Sequence, residues 1–290
     1  IDLDYGNPGL WDYQIETLKS WAEIVDGFRC DVAPLVPLDF WLRARREVET
    51  VRPDCLWLAE SVEPEFIRDN RNRGMVSHSD CELYQAFDLC YDYDIYGDFL
   101  SYVQGKTELT DYVRALERQE SIYPADYAKL RFLENHDRPR MAHLFPERRT
   151  RLNWLCWMFF QKGTALLYSG QEWENDHRPD LFDADPIPME GPAPLEGLIR
   201  RLTALKKDPL FEIGAYSLRA CPGDVLTAVW QERRENGKRL TGCFCLRGNP
   251  ALVPVELSDG RYENLLKPGT FLRVESGLLS LDGNPAVLQS

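Results

Sequence analysis

Asp31, Glu60 and Asp137 each end, or nearly end, a short apolar run of the kind that forms a buried strand: Val25–Asp31, Leu56–Glu60 and Leu130–Asp137. Carboxyl groups at strand C-termini are where a (β/α)8 barrel builds its active site. Two of them facing each other across a sugar bond are the equipment of glycoside hydrolysis. Asp31 and Glu60 lie about 30 residues apart, one unit's length in a barrel of roughly 250 residues and eight units. Glu60 and Asp137 are separated by two such units and a longer loop. A single acid among 47 Asp and Glu would carry little weight. Three that close apolar runs, two of them with an Arg or His beside them, point to a site. Arg29 stands two residues before Asp31, so both side chains point to the same side of their strand. Its cation would keep Asp31 ionised.

The elements needed to hold these groups are legible. Asn7 is a candidate N-cap with Pro8 at the first helical position. Trp11, Ile15, Leu18, Ala22 and Val25 then recur at helical spacing. Similar stripes are Trp41, Ala44, Val48 and Val51, and Leu195, Leu198, Leu202 and Leu205. Arg151–Phe160 is apolar nearly throughout and suits a well-buried helix. Strands are expected near Gly27–Asp31, Cys55–Glu60, Ala86–Leu89, Leu130–Glu134 and Ala165–Tyr168. Beyond Asp208–Gly214 the style changes to short β-rich runs at Val225–Glu232, Arg239–Leu246, Leu252–Leu257 and Pro285–Leu288. Asn236-Gly237 is a hairpin signal between the first two. The expected organisation is α/β, a partial (β/α)8 barrel of about five of eight units over residues 1–210. An all-β antiparallel sandwich over 211–290 follows it.

The motifs resemble the α-amylase family of glycoside hydrolases. Gly27-Phe28-Arg29-Cys30-Asp31-Val32-Ala33, Ala59-Glu60-Ser61 and Phe132-Leu133-Glu134-Asn135-His136-Asp137 are similar to its second, third and fourth conserved regions. Asp2-Leu3-Asp4-Tyr5-Gly6-Asn7-Pro8 resembles the stretch before the helix that precedes the nucleophile strand. Gly163–Glu172 resembles the eighth strand and its exit. The resemblance implies Asp31 as nucleophile and Glu60 as general acid and then base. Asp137 and His136 would bind the sugar ring, and Arg29 would support the nucleophile. It implies a retaining double displacement with the two carboxyls about 5 Å apart, which asks for Glu60 to start protonated. The implied substrates are α-linked oligosaccharides or polysaccharides.

Two departures shape these expectations. The family's first conserved region, its first strands and its inserted domain have no counterpart in this chain. An open sheet would leave two bare edges, so a missing N-terminal barrel fragment or a second copy is the expected complement. The complete family fold can take calcium, but its usual site involves the inserted domain, so no residue here is assigned to a metal, no cofactor is established, and calcium stays open for the complete fold. Many α-amylases carry a Lys-His pair where this chain has Pro34-Leu35, which leaves short α-glucosides, and their transfer or isomerisation, open beside hydrolysis. A reading from another class is a non-catalytic scaffold that keeps the fold. Tyr84–Tyr96, Phe87 and Trp173 could stack on glucose units, with ordinary packing the better reading for each.

The net charge of −13 argues against nucleic acid and anionic membrane surfaces. Arg151, Asn153, Gln161 and Lys162 interrupt residues 151–167, the nearest approach to a membrane span. Eight Cys lack C-x-x-C spacing and read as buried thiols of a reducing, cytoplasmic compartment. His78, His143 and His177 have no setting that suggests chemistry, and no His pair has metal-ligand spacing.

Overall fold

The computed structural model describes residues 3–234 and 236–290; Asp2, which opens the first family-like stretch, lies outside them. Contacts divide the chain into two units, Ile1–Ser101 with Ala115–Leu130, and Tyr102–Arg114 with Arg131–Ser290. In chain order the barrel-like elements are α1 (Pro8–Ala22), β1 (Gly27–Cys30), α2 (Leu38–Val48), β2 (Leu56–Ala59), α3 (Pro64–Asn72), α4 (Asp80–Leu83), β3 (Leu89–Tyr91), α5 (Tyr96–Val103), α6 (Leu109–Ile122), β4 (Ala128–Arg131), α7 (Met141–Leu144), α8 (Arg148–Phe160), β5 (Thr164–Ala165), α9 (Glu196–Lys206) and α10 (Leu210–Ile213). The strands form one five-stranded parallel sheet in the order β1-β2-β3-β4-β5. Five strand–helix repeats of a barrel is the expected count. No helix among the described residues is long and apolar enough to cross a membrane.

In the first unit the helix start follows the sequence. Asn7 caps α1 by accepting from Gly9 N at 3.0 Å, with Pro8 behind it. The stripe of α1 packs Ile15 and Ala22 into a core shared with Phe40, Trp41, Trp57 and Phe87. Those rings meet edge to face, Trp41 on Phe87 at 5.2 Å and Phe40 on Trp41 at 5.1 Å. β1 and β2 pair in parallel from Gly27↔Leu56 to Cys30↔Ala59. A Cβ at Gly27 would lie 2.4 Å from Leu56 O, so only glycine lets the two strands begin this close. The third strand falls later than Ala86–Leu89. Ser79 and Glu82 form a reciprocal capping box on α4, and Ala86 and Phe87 continue its turn with N–H bonds to Leu83 O. Their burial is helix-turn packing, so the extended segment starts only at Leu89.

The second unit holds α8 at its centre. Every residue from Asn153 to Phe160 is buried. The β-rich part makes two four-stranded antiparallel sheets, using β6 (Ala215–Cys221), β7 (Val225–Gln231), β8 (Arg239–Cys245), β9 (Ala251–Pro254), β10 (Gly260–Glu263), β11 (Phe271–Glu275), β12 (Leu278–Leu281) and β13 (Ala286–Gln289). Their orders are β13-β8-β7-β6 and β10-β11-β12-β9. Cys221, Val225, Cys243, Cys245, Val253, Leu279 and Leu288 lie in the core of the sandwich. The opposite face of β8 turns Phe244 onto Trp157 and Phe160 of α8, at 5.5 Å each. That double burial explains the unbroken buried run of Leu240–Cys245. The hairpin signalled by Asn236-Gly237 joins β7 to β8 with Gln231 opposite Arg239, and Asn236 adopts φ 55°. All eight cysteines are free, seven of them buried.

Candidate active site

In the first unit, β1 and β2 deliver Arg29, Asp31 and Glu60 to one place. Alternation turns Phe28 onto Trp57, at 5.4 Å, and leaves Arg29 on the side of Asp31. The parallel register runs one residue beyond β2, where Glu60 N donates to Cys30 O at 3.0 Å. The Arg29 guanidinium then spans both acids. One nitrogen pairs with Asp31 Oδ1, and the other donates to Glu60 Oε1 at 2.6 Å. The cation also sits over the ring of Tyr91, at 5.8 Å. Burial works against the Arg29 charge, but the bonds to Asp31 and Tyr91 and the charge of Glu60 outweigh it, so its pKa lies above the ordinary value.

The two acids differ in setting. The Asp31 side chain is 78% exposed and that of Glu60 only 9%. Asp31 is free to meet an incoming molecule, whereas Glu60 is held. Its second oxygen accepts the backbone N–H of Val32 at 2.8 Å. Val32 makes this bond from φ 41°, ψ 44°, the left-handed region, which is costly for a β-branched residue. The backbone then enters a 3-10 turn at Ala33–Leu35, fixed by Trp41 Nε1 donating to Ala33 O at 3.1 Å. Ser61, next to Glu60, is fully buried and donates to Tyr91 O at 2.9 Å. Strand alternation pointed to Arg29, but no local signal marks Val32.

In the second unit, the chain leaves β4 at Arg131 and turns into a tight loop at Asn135. Asp137 N bonds back to Asn135 Oδ1 at 2.9 Å, a side-chain turn typical of Asn. His136 Nε2 stands 3.3 Å from Asp137 Oδ2, and both side chains are about two-fifths exposed. The loop rests on a buried ion pair absent from the sequence expectations. Glu134, 1% exposed, accepts from Arg140 at 2.7 Å and from Met141 N at 2.5 Å. Burial raises the Glu134 pKa, against the pull of Met141 N–H and Arg140. Arg140 also donates to His177 O at 2.7 Å and Ser169 O at 2.9 Å, and lies 4.4 Å over the Tyr168 ring. Arg178 donates to Asp137 O at 3.1 Å. A charged residue inside Phe132-Leu133-Glu134-Asn135, followed by an Arg six positions on, was the available signal.

Phe87, Tyr91, Tyr93 and Tyr96 are buried, and their rings pack on other rings. Packing is therefore their role. Within either unit taken by itself, no three His, Cys, Asp or Glu ligand atoms of the described residues converge on one point.

A family model described as the catalytic domain of alpha amylase matches residues 1–182, and one described as the bacterial alpha amylase C-terminal domain matches residues 218–288. The structure is similar to an α-amylase from Lactobacillus plantarum, with TM-score 0.95 and 44% identity, over 100% of this chain and 68% of that one. It is also similar to the noncanonic maltogenic α-amylase AmyB from Thermotoga neapolitana, with TM-score 0.81 and 30% identity, over 99% of this chain and 67% of that one. Among curated proteins, the α-amylase MalA of Haloarcula japonica is 29% identical over 169 residues, which is 58% of this chain and 23% of that protein. The chain spans between 23% and 29% of the length of the curated relatives it matches. The chain belongs to the α-amylase family.

Proposed function

We propose that this chain carries the acid pair of a retaining α-glycosidase acting on α-glucans or malto-oligosaccharides. Residues 1–210 would form its barrel part and 211–290 its β-sandwich. The observation that carries the reading is the single guanidinium of Arg29 joined to both Asp31 and Glu60. Two oxygens held by the two ends of one guanidinium are at most about 7 Å apart by hydrogen-bond geometry. That span accommodates the roughly 5 Å carboxyl separation of double displacement.

In the first step a carboxylate oxygen of Asp31 attacks the anomeric carbon as the bond to the departing sugar oxygen breaks. That oxygen takes its proton from Glu60. In the second step the Glu60 carboxylate removes a proton from water, whose oxygen displaces Asp31 and releases the sugar. The exposure of Asp31 suits a nucleophile that must reach substrate. The Arg29 and Val32 bonds keep Glu60 in register and favour its charged form, which suits the base of the second step. Its first-step proton requires the Arg29 contact to Glu60 to loosen as substrate binds. Asp137 and His136 are proposed to bind hydroxyls of the reacting ring, and Arg29 to keep Asp31 charged and aimed.

The test is proton NMR of the first product released from maltoheptaose. Initial release of the α-anomer supports the reading, and initial β-anomer overturns it. Asp31→Asn and Glu60→Gln are each expected to remove nearly all turnover. Near-full rates in either variant would reject the assigned roles.

A further inference from the structure

One face of the sheet β13-β8-β7-β6 changes character along its strands. At one end Cys221, Val225, Cys243 and Cys245 belong to the apolar core of the sandwich. Further along, on the same face by strand alternation, stand Ser217 and Arg219 of β6, Thr227 of β7, and Arg239 and Thr241 of β8. The register sets Arg219 opposite Thr227, and Ser217 and Thr241 on either side of Val229. With Pro254 and Glu256, at and just beyond the end of β9, these side chains line a cavity of about 220 Å³ inside the second unit. Polar groups thus sit where a sandwich packs apolar ones, and their hydrogen bonds are incomplete. Thr241 is 2% exposed, yet its Oγ1 is buried with no partner among the described residues. Arg239 Nε is buried and unpartnered in the same way. The Arg239 guanidinium reaches Glu256 at 2.8 Å, and the Glu256 side chain is 74% exposed. Arg219 donates to Pro254 O at 3.0 Å. The bond and charge of Arg239, with the charge of Arg219 added, hold the Glu256 carboxyl below its ordinary pKa, so both cations act at this one place.

We propose that this cavity binds a tetrahedral oxyanion, phosphate or sulfate, between Thr241, Arg239 and Arg219. A buried donor left unpaired is costly, and two of them lining one space mark where an acceptor belongs. Two guanidinium groups against one exposed carboxylate leave the lining positive, in a chain of net charge −13. That balance excludes a cation and selects an anion. The planar fork of Arg matches the paired oxygens of a phosphoryl or sulfuryl group. A tetrahedral ion can give one edge to Arg239 and keep oxygens for the Thr241 hydroxyl and for Arg219. Glu256 holds part of the Arg239 fork from the solvent side, so its carboxylate competes with the anion.

The experiment is calorimetric titration of the full chain with inorganic phosphate, at constant ionic strength set by sodium chloride. The unaltered chain is expected to give a saturable heat. Thr241→Val, which keeps the shape and removes the hydroxyl, should weaken phosphate about 10-fold, the scale of one hydrogen bond to a charged group. Arg239→Gln should abolish binding. Glu256→Gln should tighten it about 2- to 5-fold, the scale of one exposed charge pair; a merely structural role for Glu256 would not produce that gain. Glucose 6-phosphate, titrated in parallel, separates the two sources of the group. Affinity equal to that for phosphate assigns the site to a phosphoryl group carried on a sugar, and loss of affinity assigns it to the free ion; both keep the oxyanion site. Absence of a saturable heat in both the unaltered chain and Glu256→Gln overturns the proposal. Phosphate affinity left unchanged by Thr241→Val and Glu256→Gln places the ion elsewhere and overturns it as well.

Discussion

Val32 gives its backbone N–H to Glu60 Oε2 at 2.8 Å while holding φ 41°, ψ 44°. Turning the residue after Asp31 into the left-handed region points that N–H back at the neighbouring strand's acid. The cost of such a conformation is of order 1–3 kcal/mol for a non-glycine residue. Glycine would remove the strain but return part of the gain as unfolded-state entropy. We therefore expect Val32→Gly to stabilise the chain by about 1 kcal/mol, seen as a Tm rise of roughly 2 °C. Turnover should fall several-fold, because Glu60 loses a rigid partner. A lowered Tm in thermal denaturation would show that packing of the Val32 side chain matters more than its backbone.

Arg29 is the second test of the acid pair. Without it, the mostly buried Glu60 and the neighbouring Asp31 lose the guanidinium that joins them. We expect Arg29→Ala to cost about 2 kcal/mol, below the 3–5 kcal/mol of a fully buried pair because the Arg29 side chain is 31% exposed. Arg29→Lys keeps the charge but has one ammonium where two separate nitrogens now act. It should recover stability in part and leave kcat down by at least about 100-fold, the scale of a lost electrostatic contact at a reacting centre. Equal activity of Arg29→Lys and the unaltered enzyme would show that the bridging geometry is dispensable.

Asp31 and Glu60, each one residue past β1 and β2, were readable because short apolar runs end there in an acid, and period-2 alternation assigned Arg29 its side. Asp137 instead lies six residues beyond β4, which ends at Arg131 and not at Glu134 as expected, because the chain turns into a loop at Asn135. What escaped has a separate cause in each case. Ala86-Phe87 has the apolar character of a strand, but the Ser79–Glu82 capping box carries it into a helix turn. β6 carries the period-2 alternation of a half-buried strand, Tyr216, Leu218 and Ala220 against Ser217 and Arg219, and was passed over although that signal was present. β10–β12 are short, with outward-facing residues that are mostly polar. The ion pair of Glu134 and Arg140 left one trace, a charge inside an apolar run with an Arg six positions on, but its worth comes from burial, which that trace does not report. Val32 is the extreme case, because its residue type argues against the conformation it adopts.

Lys206 ends α9 with its Nζ bonded to Gln161 O and 4.7 Å above the Phe211 ring. Both contacts favour a cation. Burial, helped by the nearby charge of Arg131, outweighs them and lowers its pKa to about 7 from 10.5. The unfolded chain therefore holds a proton between about pH 7 and 10.5 that the folded chain has released. Stability must rise with pH across that window. Below pH 7 both states are charged, and the folded state carries the full penalty of the buried ammonium. Lys206→Met removes the titration. Its Tm advantage over the unaltered chain is expected to be greatest near pH 6 and to shrink steadily toward pH 10. A Tm difference independent of pH would mean that Lys206 stays charged when folded.

Asn153 shows how the β-sandwich is tied to α8 inside the second unit. The side chain is fully buried. Its amide donates to Gly283 O and to Arg149 O at 2.9 Å each, and its carbonyl accepts Cys245 N at 2.7 Å. One amide thus serves the helix, the end of β8 and the turn before β13. An apolar replacement leaves the Cys245 N–H and the Gly283 carbonyl buried without partners, each worth about 1–3 kcal/mol. Asn153→Ala is therefore expected to cost about 3 kcal/mol, and Asn153→Leu no less, because refilling the volume does not restore the bonds. Asn153→Asp separates the two halves of the interaction. It keeps the acceptor for Cys245 N–H, loses the donor to Gly283 O and adds a buried charge, so it should be at least as damaging as alanine at pH 8 and improve as the pH falls. Urea unfolding of the three variants at two pH values decides this. If Asn153→Leu proved as stable as the unaltered chain, packing alone would account for the junction, and the hydrogen bonds would be incidental to it.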